Sequence, residues 1–292
     1  MRKYFLIIFS IVLFSNAQAQ DDLLEMLDEE SDKIKTYVDA TFKGTRLING
    51  HSIETRKKHN LDLLISHRFG EISGGGYQFF GLDQSNVRIG FDYGLTDDFN
   101  IGIGRNSYEK TYDSYLKYRL IKQSQGAGAM PFSVTLFSSV AVKTLKDIDY
   151  EEVMDFTDKM VFTHQVLIAR KFSPALSLQV MPSFVHYNAI TETQLRNDIF
   201  SLGAGGRIKL TKRLSLNAEY YYQFEPLTED TYNSIAIGID IETGGHVFQL
   251  HFTNSQAMIE KGFITETNNN FFDGDIHFGF NISRTFQLGN KK

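Results

Sequence analysis

The stretch RLSLNAEYYYQF, from Arg213 to Phe224, alternates between apolar and polar side chains almost without interruption. Because successive side chains of a β-strand point to opposite sides, this period of two predicts a strand with one apolar face. That face must be covered either by a protein core or by lipid, and the rest of the chain decides between them. One face carries Leu214, Leu216, Ala218, Tyr220, Tyr222 and Phe224, and the other carries Ser215, Asn217, Glu219, Tyr221 and Gln223.

The same alternation recurs in eleven other segments that are bounded by turn-forming residues. They are residues 61–69, 86–95, 99–104, 110–121, 132–142, 160–172, 176–187, 199–210, 234–241, 246–252 and 275–288. Many of them are longer than the strands of soluble sandwiches and approach the length that a tilted transmembrane strand needs. The segments therefore predict an all-β chain with about twelve antiparallel strands, whose apolar faces contact lipid.

The connections between these segments alternate in length. Tight turns at residues 95–98, 171–174, 210–213 and 242–245 alternate with connections that are mostly longer, and the exceptions are the short 105–109 and the long 121–131. Transmembrane β-barrels of the outer membrane have short periplasmic turns and longer external loops. This alternation of short and long connections predicts a single closed barrel over residues 58–289, followed by a short tail at 290–292. Both ends of the barrel chain would lie in the periplasm.

The amino terminus has the features of a secretory signal peptide. Two basic residues precede the apolar run from Tyr4 to Ser15, and Ala17 and Ala19 supply a small-residue cleavage site. We expect Sec export and a mature chain that begins near Gln20. Residues 20–57 would then form a periplasmic segment, with either a short amphipathic helix or a disordered tail at 20–35. Residues 36–49 would form either a plug tucked into or under the barrel or an extra strand, and a fourteen-stranded barrel is the alternative to twelve strands.

Composition excludes several classes of protein. Removing Arg2 and Lys3 with the signal peptide leaves 28 basic residues against 35 acidic ones, a formal charge of −7. Such a chain is a poor ligand for nucleic acid. Cysteine is absent, which excludes a disulfide framework and a lipid-modified cysteine anchor. The mean hydropathy of −0.24 argues against a bundle of membrane helices.

The polar faces of the predicted strands are rich in charge, and we take them as the lining of the lumen. Solvated charges would give a selective channel, whereas opposite charges that pair across a narrow interior would close it. Glycines on these faces favour crowding or strong curvature. The candidate lumen residues are Asp62, Arg68, Arg88, Asp92, Asp113, Lys117, Arg119, Arg207, Lys209, Glu219, Tyr221 and Asp240.

Other candidate sites are weaker. His164 and His186 fall on apolar faces, where a lipid-directed hydrolase would place a catalytic histidine, but no G-x-S-x-G motif accompanies them. His251 and His277 would face the lumen on neighbouring strands. The loop at residues 143–159 is acidic but lacks the spacing of a calcium loop. We therefore predict no metal site and no cofactor.

Three stretches resemble an uncharacterised outer-membrane β-barrel family of Gram-negative bacteria, a domain of unknown function. They are FKGTRLINGHSIE at 42–54, ISHRFG at 65–70 and the run from Gly81 to Leu120. The resemblance extends over most of the mature chain. It implies the barrel fold, and it implies no substrate and no site residues.

Three functions remain open at this point. The leading hypothesis is an outer-membrane barrel that passes or binds a small solute through a charged lumen. The second is a closed structural barrel whose amino-terminal segment docks a periplasmic protein, and the third is a lipid-directed hydrolase. Outer-membrane lipid is an expected partner in each case. The barrel assembly machinery is another, because residues 275–288 look like the aromatic carboxy-terminal strand that this machinery recognises.

Overall fold

The computed structural model describes residues 34–145, 155–191 and 194–289. The predicted signal peptide, the predicted helix except for its last two residues, most of the acidic loop and the carboxy-terminal tail lie outside the described residues. The chain divides into two units. One contains the described residues of 34–39 and 122–131, and the other contains the described residues of 40–121 and 132–289.

The larger unit is a closed barrel of twelve antiparallel strands, each paired with its neighbours in sequence. Pairing of the last strand with the first closes the barrel, so no strand edge is left exposed to lipid. The prediction of twelve strands is confirmed. The strands are β1 (Asn60–Glu71), β2 (Ser85–Gly94), β3 (Phe99–Asn106), β4 (Tyr112–Ile121), β5 (Ser133–Val142), β6 (Met160–Lys171), β7 (Leu176–Tyr187), β8 (Asp198–Lys209), β9 (Leu214–Gln223), β10 (Ser234–Thr243), β11 (His246–Thr253) and β12 (His277–Gln287).

The polarity of the barrel wall is inverted relative to a soluble protein. In β9, Glu219 and Tyr221 are buried, whereas Tyr220 and Tyr222 are exposed on the outside. The outer face of other strands is equally apolar, and Ile103 retains 61% of its exposure. An apolar surface of this extent is stable only in contact with lipid. The choice of lipid over a protein core is therefore confirmed.

The tight turns all lie at one end of the barrel. The connections that lead from an even-numbered strand to the next odd-numbered strand all lie at this end. The start of β1 and the end of β12 lie there too, and we call it the turn end. The connection from β4 to β5 is the long one there. The opposite end, the loop end, carries the other connections, of which 107–111 is short. The location of the turn end in the periplasm stays a prediction.

Two segments fill the interior of the barrel. The plug segment, residues 40–57, forms a tight hairpin in which Leu47 N–H donates to Gly50 O over 2.8 Å. The inward loop, residues 254–267, contains the helix α1 (Glu260–Thr265), and every residue of α1 is buried. Neither segment adds a strand to the wall, so the barrel does not reach fourteen strands. No helix in the described ranges is both long and apolar enough to span a membrane.

The smaller unit contains a short strand pair. Residues Thr36 and Tyr37 pair antiparallel with Gln125 and Ser124. Lys122 forms an ion pair with Asp39 at 2.6 Å and lies 5.5 Å from the centre of the Tyr37 ring. The predicted segment 36–49 is therefore divided, because residues 36–39 belong to this unit and residues 40–49 to the plug segment.

Candidate functional site

The contact surface between the plug segment and the barrel wall is the candidate functional site. The plug segment contacts inward side chains of β1, β2, β4, β5, β7, β9, β11 and β12, so it is surrounded by the wall on all sides. Phe42, Leu47 and Ile53 of the plug join the buried apolar cluster. Many of the hydrogen bonds from the wall go to the plug backbone. The wall therefore recognises the path of the plug backbone more than its side chains.

Nine of the twelve predicted lumen residues are buried, and the other three are half-buried. Buried ones are Asp62, Arg68, Arg88, Asp92, Lys117, Arg207, Glu219, Tyr221 and Asp240. Half-buried ones are Asp113, Arg119 and Lys209. Arg119 bonds to Asp98 in the adjacent turn and not to the plug segment. The remaining question is what the buried charges contact.

Glu219 binds the turn of the plug hairpin. Its carboxylate accepts N–H bonds from Ile48 at 3.3 Å, Asn49 at 2.8 Å and Gly50 at 3.2 Å. Successive N–H groups in a turn form a concave site for a negative charge, and bonds to a charged acceptor are stronger than neutral ones. Glu219 is thus an acidic wall residue that holds the plug by its backbone.

Tyr221 follows Glu219 on the inner face of β9 and fits closely against the same turn. A Cβ atom on Gly50 would lie 1.9 Å from the Tyr221 hydroxyl, so only glycine fits at this position. The Tyr221 ring also needs space at Gly203 of β8, where a Cβ would lie 2.6 Å from it. The hydroxyl donates to the Met181 sulfur at 3.2 Å.

Other wall charges also bind the plug segment. Asp92 accepts a hydrogen bond from Thr45 at 3.0 Å, and Lys117 donates to the backbone carbonyl of Glu54 at 2.6 Å. Asp62 forms an ion pair with Arg56 at 2.5 Å. These groups have partners on the plug, so the interior is closed mainly by an inserted segment.

Arg88 and Asp113 differ, because they pair with each other across β2 and β4. The guanidinium makes two bonds to the carboxylate, of 2.9 and 2.5 Å. Glycines open the space that the guanidinium occupies, since a Cβ on Gly104 would lie 2.3 Å from one of its nitrogens. Direct pairing between wall charges, one of the two predicted alternatives, occurs here.

Neutral amides of the wall complete the contact, and they are not among the predicted lumen residues. Gln179 accepts from Ile53 N–H and donates to the His51 carbonyl, both over 2.8 Å. Gln249 donates to the Leu47 carbonyl, and Asn281 donates to the Ile48 carbonyl at 3.0 Å. Each of these amides lies on the polar face of a strand in which apolar and polar side chains alternate. That position is the sequence signal that would have identified them.

The plug segment also contacts the inward loop through buried charges. Arg46 pairs with Glu260 at 2.9 Å, and His51 Nε2 lies 3.6 Å from the same Glu260 oxygen. Burial, together with the positive charge of Arg46, lowers the pKa of His51 well below its usual value. Burial raises the pKa of Glu260, and Arg46 opposes this effect.

Lys261 of α1 anchors the inward loop near the loop end. Its ammonium lies 2.7 Å from Glu266 and 3.1 Å from Glu109. Burial favours the neutral form of Lys261, but these carboxylates raise its pKa overall. Glu109 also pairs with Lys143 at 3.3 Å. The network connects the inward loop to the connection between β3 and β4.

The predicted histidine sites lie apart from the plug. His164 is exposed on the outer wall and bonds to Ser138 at 3.0 Å, within a lipid-facing groove, and His186 bonds to Asp198 at 2.6 Å. His251 and His277 are buried. His277 bonds to Asn269 and to the Phe69 carbonyl. Within the described residues no group of three or more acidic or histidine side chains is arranged to hold a metal.

The solved structures to which the chain is similar are remote in sequence. The NanC porin is 8% identical, with a TM-score of 0.49 over 78% of this chain and 100% of that chain. An outer-membrane channel from Pseudomonas putida F1 is 11% identical, with a TM-score of 0.47 over 80% and 97% of the two chains. LpxR from Salmonella typhimurium is 10% identical, with a TM-score of 0.39 over 78% and 99%.

Sequence comparison identifies the family. None of the curated proteins compared with the chain is significantly similar to it. The model of one family matches residues 42–286, from the plug segment to the last strand of the barrel. That range includes both the wall and the segment that fills it. The chain belongs to the family of membrane bound beta barrel domains named DUF5777.

Proposed function

We propose that this protein is a gated outer-membrane channel for a small solute, closed by the plug segment and opened when that segment moves. The observation that carries the proposal is the way in which Glu219 holds the plug turn through three backbone N–H groups. Water replaces such bonds when the plug leaves. An acidic and basic wall is also wettable, as the lining of a solute path must be.

The amino-terminal segment supplies a means of moving the plug. Residue 40, where the plug segment begins, directly follows the smaller unit that includes residues 34–39. A periplasmic protein that binds this region would act on the plug through the chain itself. Docking of a partner, which was a separate hypothesis for a structural barrel, thus becomes the proposed trigger of the channel.

A lipid-directed hydrolase has less support. In the described chain, His164 contacts Ser138 and the ring of Phe184 but no carboxylate that would orient it. Its position in β6 faces the bilayer, whereas hydrolysis requires water at the reacting carbonyl. We expect His164→Ala to leave the turnover of outer-membrane lipid unchanged, and abolished turnover would favour the hydrolase.

Single-channel recording in planar bilayers tests the proposed channel. The chain that begins at Gln20 is expected to stay mostly closed, and a chain lacking residues 20–57 is expected to give steady conductance. Glu219→Gln removes the charge that holds the plug turn and should raise the open probability. Glu229→Gln changes an exposed loop carboxylate and is the matched control. A barrel that stays non-conducting without residues 20–57 would overturn the proposal.

A further inference from the structure

Three arginines meet at a small cavity between the plug segment, the wall and the inward loop. Arg46 comes from the plug, Arg68 from β1 and Arg88 from β2, and Met258 of the inward loop also lines the cavity. The cavity volume is about 10 Å³, which is room for roughly one water-sized sphere. A monoatomic ion fits a space of this size, and sulfate or phosphate does not.

The three arginines that line the cavity carry buried donors without partners. Arg68 Nε and Nη1, Arg88 Nη1 and Arg46 Nε are all buried without a hydrogen-bond partner among the described residues. Arg68 and Arg88 retain only 1% of their exposure. A guanidinium stays charged in proteins, and a buried donor without an acceptor is costly. An acceptor bound in the cavity would give a partner to the donors that face it.

The three arginines differ in their direct ion-pair partners. Arg46 is paired with Glu260, and Arg88 is paired with Asp113. Arg68 forms no ion pair within the described chain and donates only to the neutral side chain of Asn49, at 2.6 Å. Glu219 attracts Arg68 at longer range.

Glu219 does not replace a direct partner for Arg68, because its oxygens are occupied by the backbone N–H groups of residues 48–50. A buried charge without a close partner is unstable in a protein interior. One monovalent anion would satisfy both the charge and the free donors. A neutral water would satisfy only the donors.

We propose that a halide-sized monovalent anion binds between Arg46, Arg68 and Arg88 and bridges the plug segment to the wall. Arg46 and Asn49 move with the plug, whereas Arg68 and Arg88 belong to the wall. The anion therefore binds the seated plug and leaves when the plug leaves. By linkage, anion binding stabilises the seated form in proportion to its concentration. This site does not depend on whether the barrel conducts a solute.

Thermal unfolding of the full-length mature protein in detergent tests the site. Chloride or bromide should raise the unfolding temperature relative to gluconate at equal ionic strength. The expected rise is about 4 °C at tenfold excess of the anion over its dissociation constant. Arg68→Met should remove the rise, and Arg105→Met, which changes an exposed arginine of the outer wall, should retain it. A rise that persists unchanged in Arg68→Met would overturn the proposal.

Crystals grown in bromide give a second test that needs no variant. An anomalous peak within hydrogen-bond distance of the Arg68 guanidinium is the expected result. If the density there is that of water and carries no anomalous signal at saturating bromide, the site binds water and the proposal is wrong. This measurement stays decisive if Arg68→Met does not fold.

Discussion

At the turn of the plug segment, Gly50 lies directly against the hydroxyl of Tyr221. Gly50→Ala places a methyl group 1.9 Å from that oxygen, so the turn must shift away from Glu219. Overpacking of this kind costs about 1–3 kcal/mol. We expect the free energy of unfolding in urea to fall by that amount, with a higher open probability in bilayer recordings.

The tyrosine hydroxyl provides the matched control for this substitution. In a Tyr221→Phe background the nearest ring atom to the new methyl is Cζ, at 3.1 Å, which a small shift accommodates. The cost of Gly50→Ala should therefore be smaller in that background. An equal cost in both backgrounds would show that the contact with Tyr221 does not explain the glycine.

His51 gives the plug segment a dependence on pH. Burial and the positive charges of Arg46, Lys117 and Arg88 lower its pKa well below 6.5 in the folded protein. The unfolded chain then takes up a proton that the folded chain does not. The contribution of His51 to the free energy of unfolding is fully present above pH 6.5. It is lost as the pH falls below 6.5, by about 1.4 kcal/mol per pH unit. Unfolding measured between pH 7.5 and 5.5 should show this loss.

Comparison of variants isolates the histidine, because the protonation of other buried groups also makes stability depend on pH. Burial raises the pKa of Glu260, so the contribution of Glu260 to stability changes with pH in the opposite direction to that of His51. His51→Gln should reduce the pH dependence, and His59→Gln, at an exposed position before β1, should not. The same pH dependence in His51→Gln and the unsubstituted protein would contradict this role.

At the scale of elements, α1 is held in the barrel by Lys261. Lys261→Met removes the buried ammonium that pairs with the half-buried carboxylates of Glu109 and Glu266. Among the described residues, Glu109 then keeps only Lys143. Removal of one partner from a buried ion pair costs about 3–5 kcal/mol. We expect α1 to become accessible to protease and the free energy of unfolding to fall by about this amount. Lys110→Met changes an exposed lysine in the same connection as Glu109 and should have little effect. Unchanged protease resistance in Lys261→Met would argue against the anchor.

The strands were predictable from sequence because each one carries its own signal. Period-two alternation in β9, and in the eleven other strands, follows from local geometry and needs no knowledge of distant residues. The plug segment and α1 carry no such signal. Their burial results from contacts with side chains far along the chain, such as Glu219 with Asn49 and Lys261 with Glu109.

The candidate site was predictable only in part for the same reason. Alternation indicated that the side chain of Glu219 points inward, but not that it binds the backbone of residues 48–50. The lumen was expected to be either solvated or closed by paired charges, and Arg88 with Asp113 matches the second case. The partners of Asp92 and Lys117 lie on the plug segment instead. Such contacts were not predictable, because sequence spacing does not reveal that a segment contacts the whole circumference of a barrel.

At the scale of the whole molecule, the outer wall is built for lipid and the inner wall for polar contact with a segment of the same chain. A closed ladder of twelve strands satisfies the wall backbone without help from the interior. The plug can therefore move while the wall stays folded. This separation makes a movable plug physically possible in an otherwise rigid barrel.

A reversible cross-link tests the central claim, that the seated plug closes the barrel. The chain has no native cysteine, and the side chains of Thr45 on the plug and Asp92 on β2 are 3.0 Å apart at their oxygens. We would introduce Thr45→Cys and Asp92→Cys together with Glu219→Gln, and use Glu219→Gln with Thr45→Cys alone as the control.

The decisive measurement is the single-channel conductance of this variant before and after reduction of the disulfide. We predict a closed barrel while the disulfide holds the plug against β2, and conductance once the disulfide is reduced. The control should conduct in both conditions. Equal conductance of the cross-linked variant before and after reduction would contradict the account.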